Sequence, residues 1–366
     1  MAKTKPLTFT RTLLNWYDKN KRDLPWRKTR DPYVIWVSEI IMQQTRIEQG
    51  LPYYYRFLES FPSLRQLADA AEEDVLNVWQ GLGYYSRARN MHAAAKFILR
   101  EHNGVFPEKY DDILQMKGVG KYTAAAITSM AFDLPYPVFD GNVLRFFSRF
   151  FGIISPVGQV KGKNRIHELA KQYIDKEHPG EFNQAIMEFG ALQCKQGSPD
   201  CNPCPLKQDC FALNQGMIRE LPVKSKVQLQ RKRYFHYFVI FQKSTKRGKY
   251  LLLQKRESDD IWKNLYDFPL IESDKTVSEE KLRKMQRWEE IFSNSNILIF
   301  RKTKIYKHIL THQIIHARFY FISGPVMIKG NFKKVSLTEI HNFPVPRLIE
   351  NFLQEEKFPD ERVVTG

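Results

Sequence analysis

The sequence predicts an all-α domain over residues 1–220 followed by an α+β domain over residues 234–366. Apolar residues recur at helical spacing up to about residue 215, and from Tyr234 they give way to short β-branched and aromatic runs. The length of 366 residues and the 43% of hydrophobic residues suffice for a core in each domain. The helical stretches include residues 9–17, 34–42, 75–79 and 93–99, and the strand-like runs are residues 234–241, 250–254, 297–301 and 317–322.

The composition is strongly basic. Lysine and arginine number 57 against 40 acidic residues, and the formal net charge of +17 favours a polyanionic partner, with nucleic acid as the default. No apolar run reaches the roughly 18 residues of a membrane span, and the chain starts with an amphipathic segment instead of a signal-peptide core. We therefore expect a soluble, intracellular protein without a membrane partner.

The four cysteines of the chain are Cys194, Cys201, Cys204 and Cys210, with the spacing Cys-x6-Cys-x2-Cys-x5-Cys. Four thiolates this close together can bind one centre, either a [4Fe–4S] cluster or a tetrahedral zinc ion. Zinc ribbons usually pair two Cys-x2-Cys knuckles, and this stretch has one. Disulfides are the poorer interpretation, because Cys201 and Cys204 are too close in sequence to close a useful loop. The spacing predicts a metal centre and a reducing compartment.

Residues 221–233 are predicted to be a basic linker between the domains. The segment has no acidic residue, so it could cross a phosphate backbone or serve as a solvated tether, and its composition does not separate the two. Its basic residues are Lys224, Lys226, Arg231, Lys232 and Arg233.

A glycine-containing turn is predicted between two helices within residues 110–131. The turn reads Lys-Gly-Val-Gly, with its glycines at Gly118 and Gly120, and the second helix opens at Lys121. Backbone N–H groups at such a helix start can bind a phosphate oxygen without reading sequence. The motif alone is a weak signal, because many helix–helix turns contain glycine.

Three stretches together resemble a known family. Residues 116–124 (Met-Lys-Gly-Val-Gly-Lys-Tyr-Thr-Ala), residues 138–143 (Val-Phe-Asp-Gly-Asn-Val) and the four cysteines are similar to those of the helix-hairpin-helix, iron–sulfur base-excision DNA glycosylases. The resemblance covers essentially the whole chain and is closest to members that remove adenine mispaired with 8-oxoguanine. It implies a monofunctional, monomeric glycosylase that hydrolyses the N-glycosidic bond of adenine opposite 8-oxoguanine or guanine in duplex DNA, in the cytoplasm or at a bacterial nucleoid.

The resemblance also assigns the metal centre and the chemistry at Tyr122. Pro203 and Pro205 beside Cys204 are similar to the family's [4Fe–4S] loop, which favours the cluster over zinc. Related strand-cleaving enzymes place a nucleophilic lysine where this chain has Tyr122, and Lys121 lies about 100° away around the helix. We therefore expect no lyase activity, the alternative being that Lys121 reaches the site.

Two acidic residues are the candidate catalytic groups. Glu39 lies two turns into an apolar helix that Asp31 is predicted to cap, and poor solvation favours its neutral, proton-donating form; a capping or salt-bridged glutamate is the alternative. Asp140 suits the stabilisation of an oxocarbenium-like sugar, and the same residue can also cap a turn or helix. By resemblance, Glu39 protonates adenine at N7 and later activates water, and Asn142 is a hydrogen-bonding companion of Asp140.

The target base must leave the duplex, and the resemblance implies which residues support this extrusion. Gln44, Thr45, Leu82 and Tyr84 match the positions that wedge into the base stack, although Leu82 and Tyr84 would otherwise be assigned to the core. The predicted wall of the base pocket is Trp26 and Arg27, and Gly118 and Gly120 are the predicted phosphate contacts.

Residues 260–269 resemble part of a Nudix domain, but the metal-binding Arg-Glu-x-x-Glu-Glu run is absent from residues 279–292. Without clustered carboxylates we expect no magnesium site and a domain that binds without hydrolysing pyrophosphates. The family reads 8-oxoguanine with a Phe-Ser-His loop, and Leu310, Thr311 and His312 stand in that place here.

Two other functions compete with this interpretation. An endonuclease III-like glycosylase-lyase for oxidised pyrimidines is disfavoured by Tyr122 and by the C-terminal domain. A non-catalytic iron–sulfur regulator that binds DNA would need neither an acid in an apolar helix at Glu39 nor the pair of Asp140 and Asn142.

Overall fold

A computed structural model describes residues 5–223, 230–244, 248–292, 297–323, 328–356 and 358; within these, the side chains of residues 242–244, 248–249 and 323 are not described. The chain divides into two compact units. One comprises Met1–Asp69 and Asn90–Val227, and the other comprises Ala70–Arg89 and Gln228–Gly366. These units differ from contiguous domains over 1–220 and 234–366, because a helical segment from the N-terminal part of the chain groups with the C-terminal residues.

The first unit is helical, as the sequence predicts. Two short 3₁₀ helices, Pro25–Arg27 and Lys207–Asp209, accompany its α-helices. In chain order, the α-helices up to residue 214 are α1 (Pro6–Asn20), α2 (Pro32–Met42), α3 (Ile47–Ser60), α4 (Leu64–Asp69), α5 (Glu72–Val78), α6 (Ser86–Glu101), α7 (Tyr110–Gln115), α8 (Lys121–Phe132), α9 (Gly141–Phe151), α10 (Val160–Tyr173), α11 (Pro179–Leu192) and α12 (Phe211–Asn214). Of these, α5 belongs to the second unit, and α6 begins in the second unit and ends in the first.

Helix α2 begins as the sequence predicts. The Asp31 side chain accepts a hydrogen bond from the Tyr33 backbone N–H at 2.8 Å, and Pro32 is the first helical residue. Proline suits this position because it lacks an N–H that the first turn would leave unpaired. The cap therefore determines where α2 starts and places Glu39 two turns along it.

The helix-hairpin-helix prediction is confirmed by α7 and α8. Gly118 between them has φ +81°, and a Cβ atom there would lie 2.6 Å from the Cβ of Asn90, so the turn requires glycine. Gly120 caps α8 and is exposed, with open space where a Cβ atom would be.

An aromatic cluster holds the first unit together. The Phe9 ring packs 5.2 Å from Phe150 and edge-on 5.1 Å from Tyr173, and Phe146 lies 4.8 Å from Phe189. All five side chains are at most 6% exposed. These rings come from α1, α9, α10 and α11, so the cluster packs α9, the helix that Asp140 caps, against its neighbours.

The second unit contains a mixed eight-stranded sheet, which confirms the predicted α+β class. The central strands β1 and β7 are parallel, and β2, β4, β5 and β6 pair antiparallel with one of them. Its strands are β1 (Arg231–Ser244), β2 (Gly248–Lys255), β3 (Tyr266–Asp267), β4 (Leu270–Ser273), β5 (Leu298–Lys302), β6 (Tyr306–Ile309), β7 (Gln313–Ser323) and β8 (Lys333–Ser336), and its C-terminal helices are α13 (Glu279–Arg283), α14 (Gln286–Ile291), the 3₁₀ helix Ile340–Asn342 and α15 (Arg347–Glu355).

All four predicted strand runs overlap observed strands, whereas β3, β4, β6 and β8 were not predicted. In β6 only Tyr306 of the four residues is buried, and Lys307 and His308 interrupt the apolar pattern. A strand with so little apolar alternation gives a weak sequence signal.

The predicted linker ends earlier than residue 233. Strand β1 begins at Arg231, and the side chain of Arg233, which is 6% exposed, pairs with Asp260 and Glu272 at 2.6 Å each. The interpretation of Arg233 as a linker cation is therefore wrong, because two carboxylates neutralise it inside the fold. Lys224 and Lys226 lie outside the described residues.

Hydrogen bonds explain why Ala70–Arg89 groups with the second unit. Asn77 Nδ2 donates to the Asn342 carbonyl and the Tyr85 hydroxyl donates to the Val345 carbonyl, both at 2.9 Å. Arg89 also donates to the Lys263 carbonyl at 2.6 Å. Across the part of the chain that the structure describes, no helix has the length and apolarity needed to cross a bilayer.

Candidate active site

A cleft of about 620 Å³ in the first unit gathers most of the predicted catalytic and base-pocket residues. Helices α2, α8, α9 and α11 and the 3₁₀ helix Pro25–Arg27 contribute to its lining. The predicted site residues that line the cleft are Glu39, Tyr122, Asp140, Asn142, Trp26, Arg27, Gln44, Thr45 and Gly120. The predicted DNA-binding residues that do not line it are Gly118 in the first unit and Leu82, Tyr84, Thr311 and His312 in the second unit.

Glu39 has the properties of a proton donor. Burial raises its pKa to about 7, a hydrogen bond from Tyr122 acts in the opposite direction, and the nearby Asp140 raises it further. A carboxyl with this pKa is substantially protonated at neutral pH, so it can deliver a proton to a leaving group.

Asp140 is fixed in the cleft by its role as the cap of α9. Its carboxylate accepts hydrogen bonds from the Val143 backbone N–H at 2.7 Å and from Asn142 Nδ2 at 2.6 Å. Burial raises its pKa, and these hydrogen bonds together with Arg145 oppose that increase. The capping and companion roles expected from the sequence therefore coexist, and they hold the carboxylate without further reorganisation.

Arg145 connects this pair to the cysteine segment, and sequence reasoning missed it. Its Nη2 donates to Asn142 Oδ1 at 2.9 Å and to the Gly190 carbonyl at 2.6 Å, while its Nε donates to the Cys194 carbonyl at 2.9 Å. The signal available in the sequence was that Arg145 follows Asn142 by three residues on one helix. Asn142, the partner of Asp140, and the cysteine segment thus share one buried cation.

Tyr122 and Lys121 occupy different surroundings. The Tyr122 hydroxyl lies 3.4 Å from the Met187 sulfur inside the cleft, and burial followed by the charges of Glu39 and Asp140 raises its pKa well above the usual value. Lys121, the first residue of α8, is exposed and lines a neighbouring groove instead. At neutral pH the group in the lyase position is therefore a neutral phenol.

Glu188 pairs with two arginines that line the cleft, and it was not identified from the sequence. Its side chain is 1% exposed and accepts from Arg27 at 3.0 and 2.8 Å and from the Arg22 guanidinium at 2.9 and 2.7 Å. Burial alone would raise its pKa, but the hydrogen bonds from Arg22 and Arg27 lower it to about 2. Like Glu39, it is an acid within an apolar helix, which was the sequence signal.

The other predicted pocket residues lie at the ends of short elements. Trp26 packs edge-on against Tyr54 with ring centroids 5.2 Å apart. Gln44 follows the end of α2 with φ +56°, a left-handed conformation that non-glycine residues seldom adopt, and the Thr45 hydroxyl donates to the Gln43 carbonyl at 3.3 Å. Strained backbone of this kind is frequent at functional sites.

The four cysteines are free thiols that line one cavity beside Arg149. Burial, with the neighbouring thiols, raises the pKa of Cys204 to about 12, and an N–H of Leu206 opposes it. Arg149 donates to Cys194 Sγ at 3.5 Å and to the Lys195 carbonyl at 2.8 Å. Among the described residues no three His, Cys, Asp or Glu side chains are already grouped to hold a metal ion. A donor set made only of sulfur, with N–H groups directed at it, fits an iron–sulfur cluster.

The predicted lesion-reading residues lie on a tight turn of the second unit. Thr311 and His312 are exposed between β6 and β7, and the Leu310 N–H donates to the Gln313 carbonyl at 2.8 Å to close the turn. Tyr84 is 42% exposed, with φ +48°, and its hydroxyl lies 3.1 Å from that of Thr311. Leu82 is 6% exposed, so its side chain is part of the packing of the same unit.

Glu279 on α13 and Glu290 on α14 are paired with basic side chains. Glu279 contacts Arg283 at 2.9 Å and Lys302 at 3.0 Å, and Glu290 contacts Arg287 at 2.9 Å. The expectation that this domain does not hydrolyse pyrophosphates stays a prediction.

Each of the two units contains a segment that matches a known protein family. Residues 37–176 match the HhH-GPD superfamily of base excision DNA repair proteins, and residues 236–355 match the NUDIX domain. A thermostable thymine-DNA glycosylase has a similar structure, with TM-score 0.52 and 27% identity over 57% of this chain and 97% of that one. Endonuclease III bound to DNA shares the fold, with TM-score 0.50 and 21% identity over 58% of this chain and 99% of that one. The helical fold and the acidic cleft define a base-excision DNA glycosylase.

Relatives in bacteria and eukaryotes narrow this class. The adenine DNA glycosylase of Buchnera aphidicola subsp. Acyrthosiphon pisum is 32% identical over 95% of this chain and 97% of its own length. That of Schizosaccharomyces pombe is 32% identical over 91% of this chain and 86% of its own length. The chain belongs to the adenine DNA glycosylase family.

Proposed function

We propose that this protein hydrolyses the N-glycosidic bond of adenine mispaired with 8-oxoguanine or guanine in duplex DNA, without cleaving the strand. The observation that carries the proposal is the pair of Glu39, whose pKa is about 7, and Asp140, hydrogen-bonded in place, in one cleft. The names of the relatives supply adenine as the base.

The first step is proton transfer to the leaving base. Glu39 donates its proton to a ring nitrogen of adenine, N7 by the family resemblance, so that the electrons of the C1′–N9 bond can leave with a neutral base. Positive charge then develops on the sugar, and the fixed Asp140 carboxylate stabilises it. Glu39, now an anion, accepts a proton from the water that attacks C1′, which restores the starting acid.

The absence of strand cleavage follows from the same cleft. A lyase needs an amine that can attack C1′, and the position beside the hairpin is Tyr122, which contacts Met187 and Glu39. Water is therefore the nucleophile, and the product is an abasic site in an intact strand.

The cofactor in this proposal is a [4Fe–4S] cluster held by Cys194, Cys201, Cys204 and Cys210. A bound cluster supplies a rigid, sulfur-ligated anchor for this segment. The chain's own contribution is Arg145, which joins the Cys194 carbonyl to Asn142, and thereby holds the companion of Asp140 in place.

Recognition of 8-oxoguanine is assigned to Thr311 and His312, with Tyr84 beside them, in the Nudix-like domain, whose first strand begins at Arg231. The Thr311 hydroxyl can donate a hydrogen bond, and the exposed turn can present it to a base. We expect the protein to act as a monomer on DNA, in the cytoplasm or at the nucleoid of a bacterium.

The test is a single-turnover assay of free adenine release. Duplexes carry adenine opposite 8-oxoguanine, guanine, cytosine or thymine, and the released base is quantified separately from strand breaks. We expect release to be fastest opposite 8-oxoguanine and slower opposite guanine. Failure to release adenine from every duplex would refute the proposed function.

A further inference from the structure

A basic groove lies beside the catalytic cleft in the first unit, formed by α10, the start of α8 and Phe139. It has a volume of about 610 Å³ and is lined by Lys121, Lys163, His167 and Lys171. Tyr122 lines both this groove and the cleft. The two cavities therefore meet at the residue next to the proposed proton donor.

The cations of the groove are arranged in a row. Lys163, His167 and Lys171 follow one another at intervals of four residues, so they share one face of α10. Burial lowers the pKa of His167, and the charges of Lys121, Lys171 and Lys163 lower it further. Glu168 also lines the groove, but its carboxylate contacts Arg165 at 3.2 Å.

Flat aromatic surfaces accompany these cations. The rings of Phe139 and His167 stack with centroids 3.9 Å apart. An adjoining cavity of about 280 Å³ extends the groove to Tyr110 and Tyr136, whose rings are parallel within 3° at 4.4 Å, and Tyr136 is 37% exposed. Cations that follow a backbone together with aromatic faces are typical of sites that bind a nucleic-acid strand.

We propose that this groove binds the phosphodiester backbone of the strand that carries the target adenine, next to the nucleotide that enters the cleft. The continuity of the chain supports this choice, because Lys121 directly follows Gly120 of the hairpin and Phe139 directly precedes Asp140. The inference rests on the proposed function for the identity of the strand, and it adds a phosphate-binding surface on α10 to the hairpin.

The test measures the salt dependence of DNA binding by the full-length protein. The variant Lys163→Gln/Lys171→Gln is compared with Lys161→Gln/Lys176→Gln, which removes the same charge from exposed positions that do not line the groove. The duplex carries a tetrahydrofuran abasic-site analogue opposite 8-oxoguanine, so it is not consumed. Each lost phosphate contact should reduce the slope of log K against log[salt] by about 0.9, so we expect a reduction of about 2 for the groove variant alone.

Two further measurements locate the strand. Lys163→Arg/Lys171→Arg should restore the wild-type slope, because the charge is kept. Neutral methylphosphonates beside the analogue on its own strand should weaken binding by the wild type and have little additional effect on the glutamine variant. An effect only from the opposite strand, or equal slopes for the groove and control variants, would overturn the proposal.

These outcomes separate this inference from the proposed function. If the wild type releases adenine but the groove variant keeps the slope of its control, the groove is not a DNA site and the glycosylase assignment stands. If no adenine is released while the slopes differ as expected, the groove is a DNA site and the assignment of the reaction fails.

Discussion

The hydroxyl groups of Tyr84 and Thr311 lie 3.1 Å apart although 227 positions separate them in the sequence. Tyr84 belongs to the segment Ala70–Arg89 and Thr311 to the turn between β6 and β7, and both are in the second unit. Either oxygen can be the donor, so the pair can exchange this hydrogen bond for one to a DNA base. We therefore expect the two residues to act together as one recognition element.

We predict that changing Thr311 and His312 together to alanine reduces the preference for 8-oxoguanine over guanine. A hydrogen bond to a group present on only one of two bases is worth about 1–3 kcal/mol, which corresponds to roughly 5- to 150-fold in the ratio of rates. The measurement is the single-turnover excision rate on the two mispairs. Excision opposite guanine is the internal control and should survive.

The substitution Tyr84→Phe removes the hydroxyl group and keeps the aromatic ring, so it tests the role of the hydroxyl alone. If the two hydroxyl groups act together, the effects of Tyr84→Phe and Thr311→Ala on the mispair ratio should be non-additive. An unchanged ratio in the Thr311 and His312 double variant would place lesion recognition elsewhere.

We predict that Glu39→Gln and Asp140→Asn each nearly abolish excision. General acid catalysis contributes roughly 10² to 10⁴ in rate, and loss of a preorganised charge costs about 10² to 10³. Binding to the mispair should stay within about tenfold. Glu59→Gln, an exposed glutamate on α3, is the matched control and should retain wild-type rates.

The pH dependence of the wild type tests the same assignment. The pKa of Glu39 is raised to about 7, and the protonated form is the proposed acid, so the single-turnover rate should decline as the pH rises through about 7. A rate that increases through this range would show that a deprotonated group limits the reaction.

We predict that Glu188→Gln lowers the stability of the protein and disturbs Arg27. Removing one partner of a buried ion pair costs about 3–5 kcal/mol, because the other charges lose their compensation. The measurement is urea unfolding at pH 7. Glu181→Gln, on the same helix and exposed, should have little effect.

The pH dependence of the free energy of unfolding should differ between the wild type and the Glu188→Gln variant. The pKa of Glu188 is about 2 when folded against an ordinary value of 4.5, so its contribution is complete above about pH 4.5 and is lost as the pH falls toward 2. The free energy of unfolding of the wild type should therefore approach that of Glu188→Gln as the pH falls across this window. A constant difference between them would contradict the ionised state assigned to Glu188.

We predict that the purified protein contains a [4Fe–4S] cluster. It should be yellow-brown with broad visible absorption and about four iron atoms per chain, and Cys204→Ser should lose the colour. Colourless wild-type protein with one zinc ion per chain would contradict this prediction.

We predict that excision leaves the strand intact until alkali or heat is applied. Borohydride should trap little covalent adduct, because Tyr122 replaces the lysine of lyases and Lys121 lies outside the cleft lining. A strong adduct that disappears in Lys121→Ala would show that Lys121 is a nucleophile.

Local features of this protein were decided by the sequence itself. The cap at Asp31, the positive φ angle at Gly118 and the close spacing of the four cysteines each involve residues only a few positions apart, and short-range sterics and hydrogen bonding operate over that distance. For the same reason Glu39 could be identified as a poorly solvated acid from its helical neighbours alone.

Only the tertiary structure decided which distant residues meet. Arg145 contacts Cys194, Arg27 contacts Glu188, and Tyr84 contacts Thr311 because helices and strands far apart in the chain pack together. For the same reason Arg233, which was assigned to the linker from the sequence, is a buried partner of two carboxylates. A charged or polar side chain has no intrinsic partner in the sequence, since burial and the geometry of the surrounding elements select the partner.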